Sequence, residues 1–328
     1  VDIPTLPPHD YSGKPGSDPS WERKTLEKLA FASLAEQKAR RRWGIFFKLL
    51  AFVYVSVVLV LAVDWGDTEK LADGRHTALV QLKGVIDSGG EASADKINSA
   101  LRSAFADKGT AGVVLRINSP GGSPVQSGII NDEIRRLRAK HPETPLYVVV
   151  EDVCASGGYY VAAAADKIFV DKASLVGSIG VLMDGFGFTG TMDKLGVERR
   201  LLTAGENKGF LDPFSPQDPK QKLMAQTMLG EIHKQFIDVV KQGRGQRLKE
   251  TPEMFTGLVW TGARSIELGL ADGYGTVSSV ARDVIKAEKV MDYTQKENIA
   301  ERFAKRFGAD MMQGAVKALG QAAEPQAR

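Results

Sequence analysis

From residue 77 onward, short apolar runs alternate with longer amphipathic stretches. The apolar runs cover residues 78–86, 112–117, 146–150, 167–170 and 197–203, and are rich in Val, Ile and Leu. Between them, residues 93–106 and 126–140 carry apolar positions at helical spacing. Strands alternating with helices predict an α/β domain with a mostly parallel sheet. Residues 216–242 read as one long helix. Its stripe of Leu223, Met228, Ile232, Phe236 and Val239 faces either the core or another subunit. There is no short-period internal repeat. Toward the C-terminus, Ile299, Phe303, Phe307, Met311 and Val316 recur at helical spacing, with Lys305, Arg306 and Lys317 between them. Residues 291–328 are therefore expected to hold an amphipathic helix and tail. Its apolar face could dock on a partner subunit, a membrane surface or the domain itself.

The N-terminal part follows another pattern. Residues 1–20 contain Pro4, Pro7, Pro8, Pro15 and Pro19, which reads as a disordered leader. Residues 21–42 look helical and highly charged. The run IFFKLLAFVYVSVVLVLAV then fills positions 45–63 with a single charge, Lys48. As a helix it spans about 28 Å, close to the hydrocarbon thickness of a bilayer. Lys48 lies near one end, where it can snorkel to the headgroups. Arg40, Arg41 and Arg42 precede the run, and Asp64, Asp67 and Glu69 follow it. The positive-inside rule places the N-terminus in the cytoplasm and the rest outside. The run is long for a signal-peptide core and starts 44 residues into the chain, which favours a retained anchor. The expected layout is a leader (1–44), a transmembrane helix (45–63), a linker (64–76) and an α/β domain (77–290).

Composition narrows the function classes. A net charge of +3 gives no global argument for nucleic-acid binding. One cysteine, Cys154, cannot form an internal disulfide and reads as a small buried hydrophobe. His9, His76, His141 and His233 are scattered, so no metal or other cofactor is expected.

Three glycine-containing segments carry the candidate chemistry. Ser119–Ser123 reads SPGGS and follows the second apolar run, and residues 155–160 read ASGGYY and follow the third. Residues 176–180 read VGSIG. In parallel α/β sheets ligands bind at the carboxyl ends of strands, where the first two segments fall. Glycine pairs there expose N–H groups of the kind an oxyanion hole uses. Ser156 beside such donors is placed for acyl chemistry. The alternative is two glycine-rich turns, one of them capped by Ser156. A nucleophilic serine needs a base. No histidine lies in a glycine-rich or loop context near these segments. Lys208, in the loop GENKGF after the last apolar run, is by itself an ordinary surface lysine.

Taken together, these segments resemble the S49 serine peptidases, the signal peptide peptidases of the SppA/SohB type, which share the ClpP/crotonase fold. The resemblance covers roughly residues 77–290. It rests on SPGGS, ASGGYY, VGSIGV, Lys208, Val259–Trp260–Thr261–Gly262 and Leu268–Gly269–Leu270–Ala271–Asp272. It implies that Ser156 is the nucleophile, that Lys208 is the general base and that Ser178 orients the lysine. It also implies an oxyanion hole formed by the Gly122 and Gly157 N–H groups. A lysine with a reference pKa near 10.4 must lose its proton to act as a base. Burial in an apolar groove lowers it, and a drop of about 3 units corresponds to about 4 kcal/mol.

The resemblance further implies a homo-oligomer with serine and lysine contributed across subunit boundaries. Substrates would be signal peptides and other hydrophobic peptides, at the outer face of a bacterial inner membrane. Two rival expectations are a non-catalytic peptide-binding scaffold of the same fold and a crotonase-type acyl-CoA enzyme.

Overall fold

The computed structural model describes residues 19–62 and 74–295. They fall into two compact units, one holding the first helix and the other residues 74–295. The expected leader and C-terminal amphipathic helix, and most of the linker, lie outside the described residues.

The first unit contains α1 (Pro19–Ala62). The 45–63 run falls on its second half, and Ile45, Phe46, Phe47, Leu49, Leu50 and Phe52 are exposed. The run continues into residues 59–63, whose side chains are not described. Within the described residues no helix is long and apolar enough to cross a membrane.

The second unit begins with β1 (His76–Lys83), α2 (Ala94–Ala106), β2 (Thr110–Ser119), α3 (Pro124–Lys140) and β3 (Leu146–Ala155). It continues through α4 (Gly157–Ala162), β4 (Lys167–Val170), β5 (Leu175–Gly177), α5 (Thr189–Leu195) and α6 (Pro219–Arg244). It closes with β6 (Val259–Thr261), α7 (Gly262–Glu267), β7 (Gly273–Tyr274) and β8 (Val290–Asp292). The sheet runs β6-β5-β3-β2-β1-β8, with β4 joining β3 to β7. Every pairing is parallel except β5 with β6.

Both faces of the central strands are covered, which explains their near-continuous apolar runs. Side chains alternate between faces along each strand. Ala78, Val80 and Leu82 of β1 and Val113, Leu115 and Ile117 of β2 enter the main core. Leu79, Val114 and Val149 point the other way, into a smaller cluster closed by Val280, Ile285 and Ala287.

Strand β3 is shared between two partners. Tyr147–Val149 pair with β4, whereas Val153–Ala155 pair with β5. The sheet forks between them, and the β2–β3 register shifts over the same stretch, between Ile117 and Ser119. The fork aims the last residues of β3 at the site.

The expected strand over residues 197–203 does not form. That stretch has no pairing partner, and its apolar side chains face outward, Leu202 being 96% exposed. Its pattern has the composition of a strand but no sheet edge to join. The expected helix over 216–242 forms as α6, yet only part of its stripe is core. Phe236 is buried and Ile232 and Val239 half-buried, whereas Leu223 and Met228 are exposed.

A buried ion pair fixes the end of α6. Arg244 is 1% exposed and donates to both carboxylate oxygens of Asp272, at 2.8 and 2.9 Å, and to the Gly269 carbonyl. Burial pushes the Asp272 carboxyl up. The Arg244 hydrogen bonds and charge, the Ile168 N–H and Arg247 outweigh it and hold the group below the usual carboxylate range. Arg244→Ala should therefore lower stability by about 3 kcal/mol in urea titrations, because it leaves only Arg247 and the Ile168 N–H to offset the burial of the Asp272 carboxylate. A depressed carboxyl contributes stability that is complete above its unfolded pKa and lost as pH falls through its folded one. The gap between wild type and variant should thus narrow below about pH 4. A pH-independent gap would mean that lost packing, not charge, sets the cost.

Candidate active site

The site is built where β2 and β3 end side by side. After Ala155 the chain turns at Ser156, which has φ 51° and ψ −123°, and α4 starts at Gly157. A serine at positive φ costs about 1–3 kcal/mol and persists only where its surroundings over-determine it. Here the Ser156 N–H donates to the Gly177 carbonyl at 2.8 Å, and its own carbonyl accepts from the Tyr160 N–H at 2.9 Å. At the third residue of the helix, the fully buried Tyr159 donates its hydroxyl to the Leu270 carbonyl, pinning α4. Burial raises the Tyr159 phenol above its ordinary pKa, so it remains a donor.

The SPGG turn packs directly against this serine. Gly121 has φ 102°, and a Cβ there would lie 2.7 Å from both the Gly157 nitrogen and the Ser156 Cβ. A Cβ on Gly122 would lie 2.2 Å from the Ile86 carbonyl oxygen. That contact is the bridge that seats the turn. The Ile86 N–H donates to the Gly121 carbonyl and the Ser123 N–H to the Ile86 carbonyl, both at 2.8 Å. The Gly122 and Gly157 N–H groups have no acceptor among the described residues, so both are available to a ligand.

Ser178 follows β5 at φ 50°, its N–H donating to the Leu258 carbonyl at 2.8 Å. Ser156, Gly157, Gly122 and Ser178 together line a cleft of about 590 Å³. Its remaining wall includes Ser127, Tyr160, Leu182, Ile232 and Phe236. By sequence pattern, Ile232 and Phe236 belong only to a stripe that faces the core or another subunit. Their i, i+4 spacing was the available signal for a helix bordering the cleft. Burial, and secondarily the Asp132 charge, raise the Tyr160 phenol. The Cys154 thiol, two residues before Ser156, is buried, and burial pushes its pKa up, as for a packing residue.

Lys208 does not line this cleft. It is exposed, in a turn whose Lys208 N–H donates to the Gly205 carbonyl at 3.1 Å. The surrounding segment, 181–218, contains only α5, which buries no residue. A small cluster holds it: Phe188 stacks on Phe214 at 5.3 Å, and Arg199 lies 5.8 Å from the Phe214 ring centre. Within one chain, then, four of the five expected site residues come together and the lysine stays apart. Among the described residues no three His, Cys, Asp or Glu side chains gather to hold a metal.

Residues 138–291 match the model of peptidase family S49. The chain belongs to peptidase family S49. This S49 member is 31% identical over 229 residues to a putative signal peptide peptidase SppA of Enterococcus faecium, covering 67% of this chain and 66% of that protein. It is 29% identical over 270 residues to a putative protease of Methanocaldococcus jannaschii, covering 77% and 85%. It is 46% identical over 209 residues to a protein of Brucella melitensis named as the Na(+)/H(+) antiporter NhaA, of whose length it spans only 28%.

The strain at Ser156 can be tested without any assay of activity. Ser156→Gly should relieve the positive φ and stabilise the fold by about 1 kcal/mol. The melting temperature should rise by about 2–4 °C. An unchanged or lower melting temperature would show that the turn is not strained.

Proposed function

We propose that this S49 member is a membrane-anchored serine endopeptidase that works through an acyl-enzyme on Ser156, with Lys208 as general base. The observation that carries the reading is the Ser156 turn, held at positive φ in a cleft beside two N–H groups that have no acceptor among the described residues. The Ser156 Oγ attacks the scissile carbonyl carbon as its proton passes to a neutral Lys208 Nζ. The Gly122 and Gly157 N–H groups donate to the oxygen that gains the negative charge. Collapse breaks the C–N bond, and the lysine returns the proton to the leaving amine. Water, deprotonated by the same lysine, then attacks the ester and releases Ser156. Ser178 orients the lysine.

The exposed position of Lys208 supports a homo-oligomer in which one subunit's lysine serves another subunit's serine. The same segment exposes Leu182, Phe186, Leu195 and Leu202, and α6 exposes Leu223 and Met224. Apolar surface of this extent is what a subunit contact would cover. Assembly would also take the lysine out of bulk water. Signal peptides and other hydrophobic peptides suit a cleft lined by Leu182, Ile232 and Phe236. The apolar half of α1, preceded by Arg40–Arg42, would be the anchor in a bacterial inner membrane, with its N-terminus cytoplasmic.

Ser156→Ala and Lys208→Ala should each reduce turnover of a fluorogenic apolar peptide by about 10³-fold or more. Co-assembling the two variants should restore part of the activity, because some interfaces then pair an intact serine with an intact lysine. Turnover equal to wild type in either variant would refute the dyad, and absence of recovery in mixed oligomers would refute its sharing between subunits.

A further inference from the structure

The loop 177–180 does more than carry Ser178. Its Gly177 carbonyl takes the Ser156 N–H, so the nucleophile's backbone is positioned by the loop. The loop itself is strained, with Gly177 at φ 112° and Ser178 at φ 50° in succession. It is backed on the β6 side, where Ser178 donates to Leu258 and where a Cβ on Gly180 would lie 3.0 Å from the Gly257 Cα. On the α6 side there is one hydrogen bond among the described residues. His233 Nε2 lies 3.1 Å from the Ile179 carbonyl oxygen. A carbonyl oxygen only accepts, so Nε2 carries the proton and donates.

We infer that His233 is a positioning residue of this site, holding the Ile179 carbonyl so that loop 177–180 keeps Ser178 and the Ser156 backbone in place. The inference rests on the reading of Ser156 as nucleophile. Two successive left-handed residues are stable only if the peptides around them are restrained. The Ile179 side chain is fully buried, and the peptide that follows it is held at its N–H end, where Gly180 donates to the Ser178 carbonyl at 2.9 Å. The His233 bond holds the carbonyl end of the same peptide, so the plane is restrained from both sides. Its neighbours on α6, Ile232, Gln235 and Phe236, line the cleft, so one helix both borders the substrate and braces the nucleophile's loop. A histidine that lies inside a helix and cannot be the base thus acquires a different role. The role concerns geometry in the reacting complex, so its loss should appear in kcat and not in KM.

The test uses the full chain in its native assembly. His233→Leu removes the donor. His233→Asn keeps polarity but is too short to reach the Ile179 carbonyl. His233→Gln places an amide N–H where Nε2 was. Three measurements are made: the rate at which an alkyl fluorophosphonate labels Ser156, kcat and KM on an apolar peptide, and the melting temperature. Leu and Asn variants should label and turn over about tenfold or more slowly, with KM unchanged and the melting temperature lowered by only a few degrees, while Gln retains most of the wild-type rate. Wild-type labelling in the Leu and Asn variants would overturn the inference. So would a Gln variant as slow as Leu, or an effect confined to KM or stability. A wild type that does not label at all would remove the Ser156 reading and this inference with it, whereas unchanged variants of a reactive wild type remove this inference alone.

Discussion

The site depends on two backbone turns touching with no side chain between them. At Gly121 there is room for a hydrogen and nothing larger, because the Ser156 Cβ and the Gly157 nitrogen occupy the space a methyl group would need. Gly122 is pressed as closely against Ile86. That contact lets two parallel strands end at one point. It places two N–H groups that have no acceptor among the described residues beside a serine, and the Ser119 hydroxyl steadies the turn by taking the Gly121 N–H at 3.1 Å. The sheet, its helices and the buried Arg244–Asp272 pair keep that junction closed.

The fold was largely legible because parallel strands covered on both faces write themselves as unbroken apolar runs. β1 to β4 and the helices between them fell close to their expected places. The failure at 197–203 has the same root. A run such as VERRLLT has strand-like residues, but a strand also needs an edge to pair with, and pairing is not a local property. The short strands β5 to β8, of two or three residues each, were below what periodicity resolves.

Legibility of the site divides along a different line. Gly122, Gly157 and Ser156 line one cleft within a single chain, and their motifs mark them as candidates. Ser178 joins them through the β3–β5 pairing. Lys208 has no local signal, and its surroundings within one chain are those of a surface lysine. The role proposed for it comes from the family resemblance alone. Ile232 and Phe236 were visible as a stripe, but a stripe does not say which of its neighbours is a cavity.

The fork in β3 has a consequence for how this molecule fails. The first half of β3 belongs to the main sheet, between β2 and β4. Its last three residues, which deliver the chain to Ser156, are held on one side by a three-residue strand whose other neighbour, β6, is equally short. Cys154, Ala155 and Val176 are buried there, but the hydrogen bonds are few and the outer residues Leu175, Val259 and Thr261 are exposed, which makes that corner the first to open. Heat or denaturant would therefore disarrange the serine while the core remained folded, and inactivation would run ahead of any global unfolding signal. The stability of the fold and the endurance of the site are, in this architecture, two separate quantities.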